Sequence, residues 1–373
     1  MLPSRIKPIL HPRRPPPTTT TTIHPAARPS SPALSYTSTD TDPEDVLTSF
    51  LPHLFPDEAP SCLGEPGKAV AYASGIWGDV TVMVPDYPKE DEEEEEYGQG
   101  EEVVEGGGGV EEGRRLFAHY LWGGGLVIAE GIERAVRAAG MKEGEGLAGR
   151  GERDLLWSVE GERVLEVGAG AALPSLIASL AGAAQVTITD HPSSPALYGA
   201  IQENITNNIP AHILSRISIQ PHEWGVLGPA PQDGAKIEET STSQGGQTRA
   251  MQFAMENKAS FTRVIAADCL WMRDQHENLA RSLLWFLAPP GEERGGGGVA
   301  WVVAGFHTGR EIVASFFETA VAVGLVVERI WERDVNATSE EGEVTREWMA
   351  VRPGEGPENR ARWCVVAFLR RGE

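Results

Sequence analysis

Two glycines follow an apolar run in the stretch RVLEVGAGAALPSL, residues 163–176. Gly168 and Gly170, with Ala169 between them, come directly after a predicted strand. Small residues at that point let backbone N–H groups and the next helix approach a ligand closely. Asp190 ends the next predicted strand, where its carboxylate can accept hydrogen bonds from both hydroxyls of a ribose. The pattern favours a nucleoside-like ligand, with an ordinary strand-to-helix turn and a helix-capping role for Asp190 as the alternatives.

Three features distinguish between ligands of this kind. A dinucleotide fingerprint needs a third glycine where this chain has Leu173, whose side chain crowds the place of a pyrophosphate. No Gly-Lys-Ser or Gly-Lys-Thr follows the turn, which excludes a P-loop. Glu166 lies within the first strand, where a carboxylate is costly to bury without a partner, and the amino group of a bound methionine would supply one. The turn therefore predicts S-adenosyl-L-methionine, and not NAD, as cofactor.

Composition excludes several classes of partner. The formal charge is −22, and residues 89–113 alone contribute −11, with twelve acidic residues and one lysine. Binding a nucleic-acid backbone requires clustered Lys and Arg, so we expect no nucleic-acid partner, whereas a basic protein segment would be tolerated. The longest apolar run has about eight residues, far short of the roughly 20 that cross a bilayer, so no membrane association is expected. The three cysteines show no metal-binding spacing, and we expect no metal and a monomer.

The chain divides by composition into four parts. Residues 1–41 are rich in Pro, Ser and Thr and predict a disordered tail. This tail is basic, but its prolines oppose the amphipathic helix of a transit peptide, so we expect a cytoplasmic protein, with mitochondrial targeting as the alternative. Residues 42–88 predict a helix and a β-hairpin, and residues 89–113 an acidic, glycine-rich disordered loop. Residues 114–371 form the main domain, with a polar insertion near 228–249.

Strands alternate with helices of 10 to 15 residues through the main domain. Such alternation requires right-handed crossovers and a mostly parallel sheet. The last two predicted strands have no helix between them, which favours an antiparallel C-terminal hairpin. The sequence therefore predicts an α/β, Rossmann-like domain with a seven-stranded, mostly parallel sheet.

Several motifs occur in a fixed order along the domain: LWGGGLVIAEGIE, RVLEVGAGAALPSLIASLAGAAQVTITDHP, HEWG, VIAADCLWMRDQHENLARSL, GFHTGRE and RWCVVAFLRR. With them the chain resembles the family 16 seven-β-strand S-adenosylmethionine-dependent methyltransferases. Within that family it is most similar to the fungal group of nicotinamide N-methyltransferase and elongation factor 1-alpha protein N-methyltransferase proteins. The resemblance covers roughly residues 42–88 and 114–371, and it implies a class I methyltransferase fold.

The resemblance also implies roles for individual residues. Asp268 and Trp271, the ends of an acid-x-x-aromatic motif, would orient the acceptor amine and line its channel. The residues implied to contact the cofactor, beside Glu166, are Trp122, Gly168, Ala169, Gly170, Asp190, Trp224 and Ala267. This chain departs from the family pattern at Gly123, where Asn is usual, and at Ala172, where a third loop glycine is usual. The three glycines 123–125 interrupt a segment of helical spacing, which predicts a less rigid entry helix.

Three functions remain open at this point. The first is N-methylation of a lysine or N-terminal amine of a protein, with a translation factor as the substrate implied by the resemblance. The second is methylation of a small molecule such as nicotinamide, and the third is a binding protein without catalysis. No GxSxG elbow supports hydrolase chemistry. His222 and His307 stand at predicted strand ends, where polar lining is the favoured role over that of a base.

Overall fold

The computed structural model describes residues 5–9, 62–86, 121–140, 154–228, 243–291, 297–337 and 343–372. The strands in these ranges are β1 Ile6–Pro8, β2 Cys62–Leu63, β3 Ala69–Ser74, β4 Gly78–Met83, β5 Leu121–Trp122, β6 Arg163–Val167, β7 Gln185–Asp190, β8 Ile217–Pro221, β9 Arg263–Ala267, β10 Val299–Gly305, β11 Leu325–Asp334, β12 Thr345–Glu347 and β13 Trp363–Arg371. The α-helices are α1 Gly123–Ala139, α2 Leu173–Leu180, α3 Ala200–Asn208, α4 Ser243–Glu256, α5 His276–Phe286, α6 Arg310–Ala322 and α7 Pro357–Ala361. Three short 3₁₀ helices cover Pro195–Tyr198, Ala211–Arg216 and Arg273–Gln275.

The main sheet has the strand order β12-β11-β13-β10-β9-β6-β7-β8. Strands β8, β7, β6, β9 and β10 are parallel, and β13 runs antiparallel between β10 and β11. The predicted α/β, Rossmann-like fold, with its mostly parallel sheet and antiparallel C-terminal hairpin, is confirmed. The prediction of seven strands missed β12, which adds three polar residues at the sheet edge beside β11. So short and polar a segment carries no strand signal of its own.

The sheet is buried on both faces. Helices α1, α2 and α3 contribute to the apolar cluster on one side, and α4, α5 and α6 to the cluster on the other. Every residue of β10 is buried, and alternate residues face opposite clusters: Trp301 and Val303 one, Val302 and Ala304 the other. A strand covered on both faces is continuously apolar, which is why VAWVVAG shows no polar alternation.

An N-terminal sheet of three strands packs beside this domain. β3 and β4 form an antiparallel hairpin, and β1 pairs with β3, so that Ile6 lies opposite Tyr72. The predicted disordered tail was therefore wrong for residues 5–9, where Ile6 is buried. Ile6 pairs with Tyr72, and Arg5 binds Glu133, and composition alone reveals neither partner. The predicted helix after residue 42 and the acidic loop 89–113 lie outside the described residues.

The polar insertion ends in a helix. Helix α4 begins at Ser243, inside the predicted polar insertion near 228–249, and residues 229–242 lie outside the described ranges. Phe253 and Ala254 of this helix are buried against the main sheet. Burial of these two side chains explains why a segment with weak amphipathic character is helical.

Glu133 of α1 connects the N-terminal sheet to the main domain. Its fully buried carboxylate accepts hydrogen bonds from Arg5 Nη2 at 2.6 Å and from the Tyr72 hydroxyl at 2.9 Å, and Arg137 lies at 3.5 Å. Burial, together with the nearby charge of Glu133, raises the pKa of Tyr72 well above its usual value, so this hydroxyl remains a donor. A buried carboxylate is stable only with such partners.

Two asparagines of α3 bind the edge of β4. Asn204 accepts from the Met83 N–H and donates to the Met83 and Ala171 carbonyls, with distances of 2.6, 3.0 and 3.0 Å. Asn208 accepts from the Thr81 N–H and donates to the Thr81 carbonyl. The amide groups take the place of a neighbouring strand, and Asn204 also links the hairpin to the glycine turn.

Of the helices in the described ranges, none is both long and apolar enough to cross a bilayer. Those ranges also contain no group of three His, Cys, Asp or Glu residues placed to hold a metal ion.

Replacing Arg5 by alanine should lower the free energy of unfolding by about 1–3 kcal/mol, because Glu133 stays buried with one partner fewer. Lys7→Ala, two residues further along the chain, is the matched control: Lys7 and Asp79 are both exposed, and the change should be below about 1 kcal/mol. Denaturant unfolding of both variants checks this, and equal effects would contradict a special role for Arg5.

Candidate functional site

A cleft opens at the carboxyl ends of β6, β7 and β9, where ligands bind in open α/β sheets. All ten residues that the sequence singles out line this one cleft: Trp122, Glu166, Gly168, Ala169, Gly170, Asp190, Trp224, Ala267, Asp268 and Trp271. The fold therefore brings together residues that span 150 positions of the chain. Their individual roles in binding and catalysis stay predictions.

The glycine turn has an unusual backbone. Gly168, Gly170 and Ala172 have φ angles of +62°, +50° and +58°, in the left-handed region that favours glycine. A side chain at Gly168 would also lie 3.0 Å from both Cys269 Sγ and Trp224 Cζ2. Ala172 stands where the sequence resemblance implies a third loop glycine, and its positive φ is one that glycine adopts with less strain than alanine does.

Asp190 is held by the turn that it faces. Its Oδ2 accepts from the Gly170 N–H at 2.7 Å, and its Oδ1 accepts from the His191 N–H at the same distance. The residue is buried at the end of β7 and lines the cleft. A carboxylate can accept up to about four hydrogen bonds, which suits this group to the two hydroxyls of a ribose.

Glu166 is a buried carboxyl at the base of the cleft. Its Oε2 accepts from the Ser175 N–H at 3.0 Å and from the Ser175 hydroxyl. Burial raises the pKa of Glu166 to about 8; the Ser175 hydrogen bonds lower it, and the charge of Asp190 raises it. Glu166 is therefore largely protonated at neutral pH, and a cationic group in the cleft would favour its ionised form.

Asp268 joins three elements at the edge of the cleft. Its Oδ2 accepts from the Gly124 N–H at 2.6 Å, and its Oδ1 accepts from the Gly305 N–H at 2.8 Å. The backbone of Asp268 is left-handed, with φ +53°, and its own N–H donates to the Val303 carbonyl. The predicted acceptor-orienting role remains a prediction, because these contacts give the carboxylate a structural function first.

Helix α1 begins at the three glycines, whereas the sequence pattern predicts that they interrupt a helical segment. Trp122 precedes the helix and supplies no side-chain cap, so Asp268 caps it from the end of β9. A Cβ on Gly124 would lie 2.4 Å from Asp268 Oδ2 and 2.7 Å from the Val303 carbonyl oxygen. Glycine is required there for close approach. The expectation of a less rigid entry helix stays a prediction.

Two further aromatic groups pack near this carboxylate. Trp122 lines the cleft, and its ring lies 4.3 Å from that of His307, centre to centre. His307 Nε2 is 3.4 Å from Asp268 Oδ1. His307 itself does not line the cleft. Trp271 lines the cleft three residues after Asp268.

Sequence reasoning missed part of the lining. Glu223, Met272 and Gln275 face the cleft beside the predicted residues, as do His191 and Ser194 after β7. Each stands within four residues of a predicted site position, and that proximity is the only signal the sequence offers. His222 lines the cleft as the sequence suggests.

No protein-family model matches the chain. Among curated proteins it is similar to the protein N-terminal and lysine N-methyltransferase EFM7 of Candida glabrata, at 25% identity over 62% of this chain and 73% of that protein. EFM7 of Gibberella zeae is 28% identical over 58% of this chain and 69% of its own, and EFM7 of Eremothecium gossypii 32% over 46% and 57%. These relatives are named as protein methyltransferases. A solved ribosomal protein L11 methylase from Lactobacillus delbrueckii subsp. bulgaricus has a TM-score of 0.32 at 14% identity, over 65% of this chain and 79% of its own.

Gly124→Ala should lower the free energy of unfolding by about 1–3 kcal/mol, because the methyl group forces Asp268 away from the helix start. Gly125→Ala in the same turn is the control, since its Cβ would meet nothing closer than 3.6 Å. Thermal and denaturant unfolding without ligand measure both variants. A Gly124→Ala protein as stable as the control would contradict the tight approach.

Proposed function

We propose that this protein is an S-adenosylmethionine-dependent N-methyltransferase that modifies lysine or N-terminal amino groups of a protein. The observation that carries the proposal is the cleft, which brings the glycine turn, Asp190 and Glu166 together at the switch point of a class I methyltransferase sheet. The name of the curated relatives, protein N-terminal and lysine N-methyltransferase, supports the acceptor class.

The residues that line the cleft fit this cofactor. Asp190 would hold the ribose, Trp224 the adenine face, and Glu166 together with the turn the methionine end. Burial raises the pKa of Glu166, so this carboxyl ionises readily only beside a cation. The amino group of the bound methionine would be that cation. The bound cofactor supplies an electrophilic methyl group, and transfer to an amine is an in-line displacement that the protein accelerates mainly by positioning.

The acceptor amine must be neutral when it attacks the methyl group. A lysine, with a pKa of about 10.4, is almost fully protonated at neutral pH, whereas an α-amino group near about 8 is partly neutral. Trp271 offers an aromatic face to the acceptor end, worth about 0.5–2 kcal/mol against a cationic amine. Trp271→Ala is a cleaner test of acceptor binding than Asp268→Ala, because loss of Asp268 also uncaps α1.

Finer statements rest on the sequence. On the motif resemblance we propose a translation elongation factor as substrate and membership of the family 16 methyltransferases. On composition we propose a cytoplasmic protein that binds neither nucleic acid nor membrane. We also propose that it is a monomer. A nicotinamide-type small molecule is the competing acceptor. The acidic balance of the chain supports a basic protein segment over a nucleic acid.

The test is methyl transfer from labelled S-adenosylmethionine into a fungal cell extract, with protein and small-molecule fractions separated and the labelled site located by mass spectrometry. We expect label on a lysine or an N-terminal amine. Asp190→Ala is the control: it loses the ribose contacts, and its cofactor affinity should fall by about 100-fold.

The fractions decide between the alternatives. Label found only in the small-molecule fraction would contradict a protein acceptor and favour a nicotinamide-type acceptor. A wild-type chain that binds the cofactor but labels nothing would favour a binding protein, and a chain that binds no cofactor would overturn the proposal.

Cofactor binding should also depend on pH. The pKa of Glu166 is raised to about 8, so below that pH the free protein holds a proton that a bound ammonium group would displace. Affinity for S-adenosylhomocysteine should therefore rise from pH 6 to 7.5, by up to about tenfold per unit, with release of a proton. Calorimetry in buffers of different ionisation enthalpy measures this release. Glu166→Gln should show neither slope nor release, and an equal slope in both proteins would contradict the assignment.

A further inference from the structure

His276 is a buried histidine at the start of helix α5, directly after the loop 268–275. Its side chain turns back along this loop, and its Nε2 lies 2.9 Å from the Leu270 carbonyl oxygen. A carbonyl oxygen only accepts, so Nε2 carries a proton and donates whether the imidazole is neutral or charged. The hydrogen bond therefore ties the middle of the loop to the first residue of the helix.

The loop 268–275 supplies much of the lining of the cleft. At its start the Asp268 N–H donates to the Val303 carbonyl at 2.7 Å, and at its end the Gln275 N–H donates to the Met272 carbonyl at 3.1 Å. The carbonyl that His276 holds lies between these two ends. The residues of the loop that line the cleft are Asp268, Cys269, Trp271, Met272 and Gln275.

The Leu270 carbonyl belongs to the peptide group that joins Leu270 to Trp271. Because a peptide group is planar, a hydrogen bond to its oxygen also fixes the direction of the Trp271 N–Cα bond. The Leu270 side chain is buried in the apolar cluster that α5 and α6 share, which holds the other end of the same peptide group. The place of Trp271 in the cleft therefore depends on the contact between Leu270 and His276.

Helix α6 packs against the imidazole of His276. The ring of Phe316 lies 5.5 Å from it, centre to centre, and nearly perpendicular at 88°. Ser315 Oγ donates to the Ile312 carbonyl at 2.8 Å and lies 3.4 Å from His276 Nδ1. A hydrogen bond of that length is weak, so the Phe316 ring and the Leu270 carbonyl are the main contacts of the imidazole.

We propose that His276 is a positioning residue for methyl transfer, which acts through the Leu270 carbonyl to hold Trp271 where the acceptor amine enters the cleft. The inference rests on the proposed function, which assigns Trp271 to the acceptor. It implies an effect on the acceptor and not on the cofactor, because the cofactor end has supports of its own, such as the hydrogen bond from the Gly170 N–H to Asp190.

Three substitutions of His276 separate its hydrogen bond from its packing. Leucine keeps the bulk, has no donor and favours a helix more than histidine does. Glutamine can place an amide N–H near the position of Nε2, whereas asparagine is one methylene shorter and reaches only the position of Nδ1. Ser315→Ala is the control on α6, since it removes the weak contact and leaves the Leu270 hydrogen bond in place.

The test measures initial rates of transfer from saturating labelled S-adenosylmethionine into the fraction of a fungal cell extract that wild type labels. At low extract concentration, where the rate reports kcat/KM, we expect a loss of about tenfold for His276→Leu and His276→Asn, and of less than about threefold for His276→Gln and Ser315→Ala. Calorimetry should give all four variants an affinity for S-adenosylhomocysteine within about twofold of wild type. The unfolding temperature of each variant checks its folding.

A double-mutant cycle tests the route through Trp271. In the Trp271→Ala background, His276→Leu should lower the rate by less than about a further twofold, because the side chain that His276 positions is already absent. A merely structural role would give the same loss in both backgrounds.

Three results would overturn the inference. A wild-type rate for His276→Leu would show that the hydrogen bond serves no acceptor. An undiminished loss in the Trp271→Ala background, or a glutamine variant no faster than the asparagine variant, would show that His276 does not act through the Leu270 carbonyl on Trp271. These results leave the proposed function intact, whereas a wild type that binds no S-adenosylhomocysteine or labels no fraction would overturn that function itself.

Discussion

The carboxylate of Asp268 is the contact on which the arrangement of the cleft depends. Helix α1 begins with three glycines and no capping side chain of its own, and Asp268 accepts the N–H of its second residue from 144 positions away. The other carboxylate oxygen holds the end of β10 through Gly305. A negative group at a helix start is stabilised by the helix dipole as well as by its hydrogen bond. One side chain therefore fixes the start of helix α1, directly after Trp122, against the ends of β9 and β10.

Polar contacts of the N-terminal sheet reach the same cleft by two routes. Glu133 ties β1 and β3 to helix α1, and Asn204 ties β4 to the carbonyl of Ala171 in the glycine turn. Both side chains are buried and hold several partners, so each acts as a fixed link and not as an exposed pair that solvent weakens. The hairpin is thus part of the support of the cofactor site, although no residue of β3 or β4 lines the cleft.

Much of this was accessible from the sequence, because its signals were local. Alternating strands and helices determine a mostly parallel sheet, and strand ends such as Asp190 and Asp268 must then meet at one edge. The errors also have local causes. Strand β12 is too short to show periodicity, α4 has little amphipathic character, and residues 5–9 are surrounded by a proline-rich composition that conceals a strand. Each of these elements is stabilised by partners distant in sequence.

The sequence by itself identified the fold class, the glycine turn and the carboxylates Glu166 and Asp190, because these follow from periodicity and from the chemistry of small and acidic side chains. The motif resemblance added Trp122, Trp224, Ala267, Asp268 and Trp271, and the fold brings all of these residues to one cleft. Only the tertiary structure decided what several of them do there. It made Asp268 a helix cap, raised the pKa of Glu166 by burying its carboxyl, and placed the Asp190 carboxylate against the Gly170 N–H. The physical reason is that burial, close approach and hydrogen-bond partners depend on residues far apart along the chain, which no local pattern specifies.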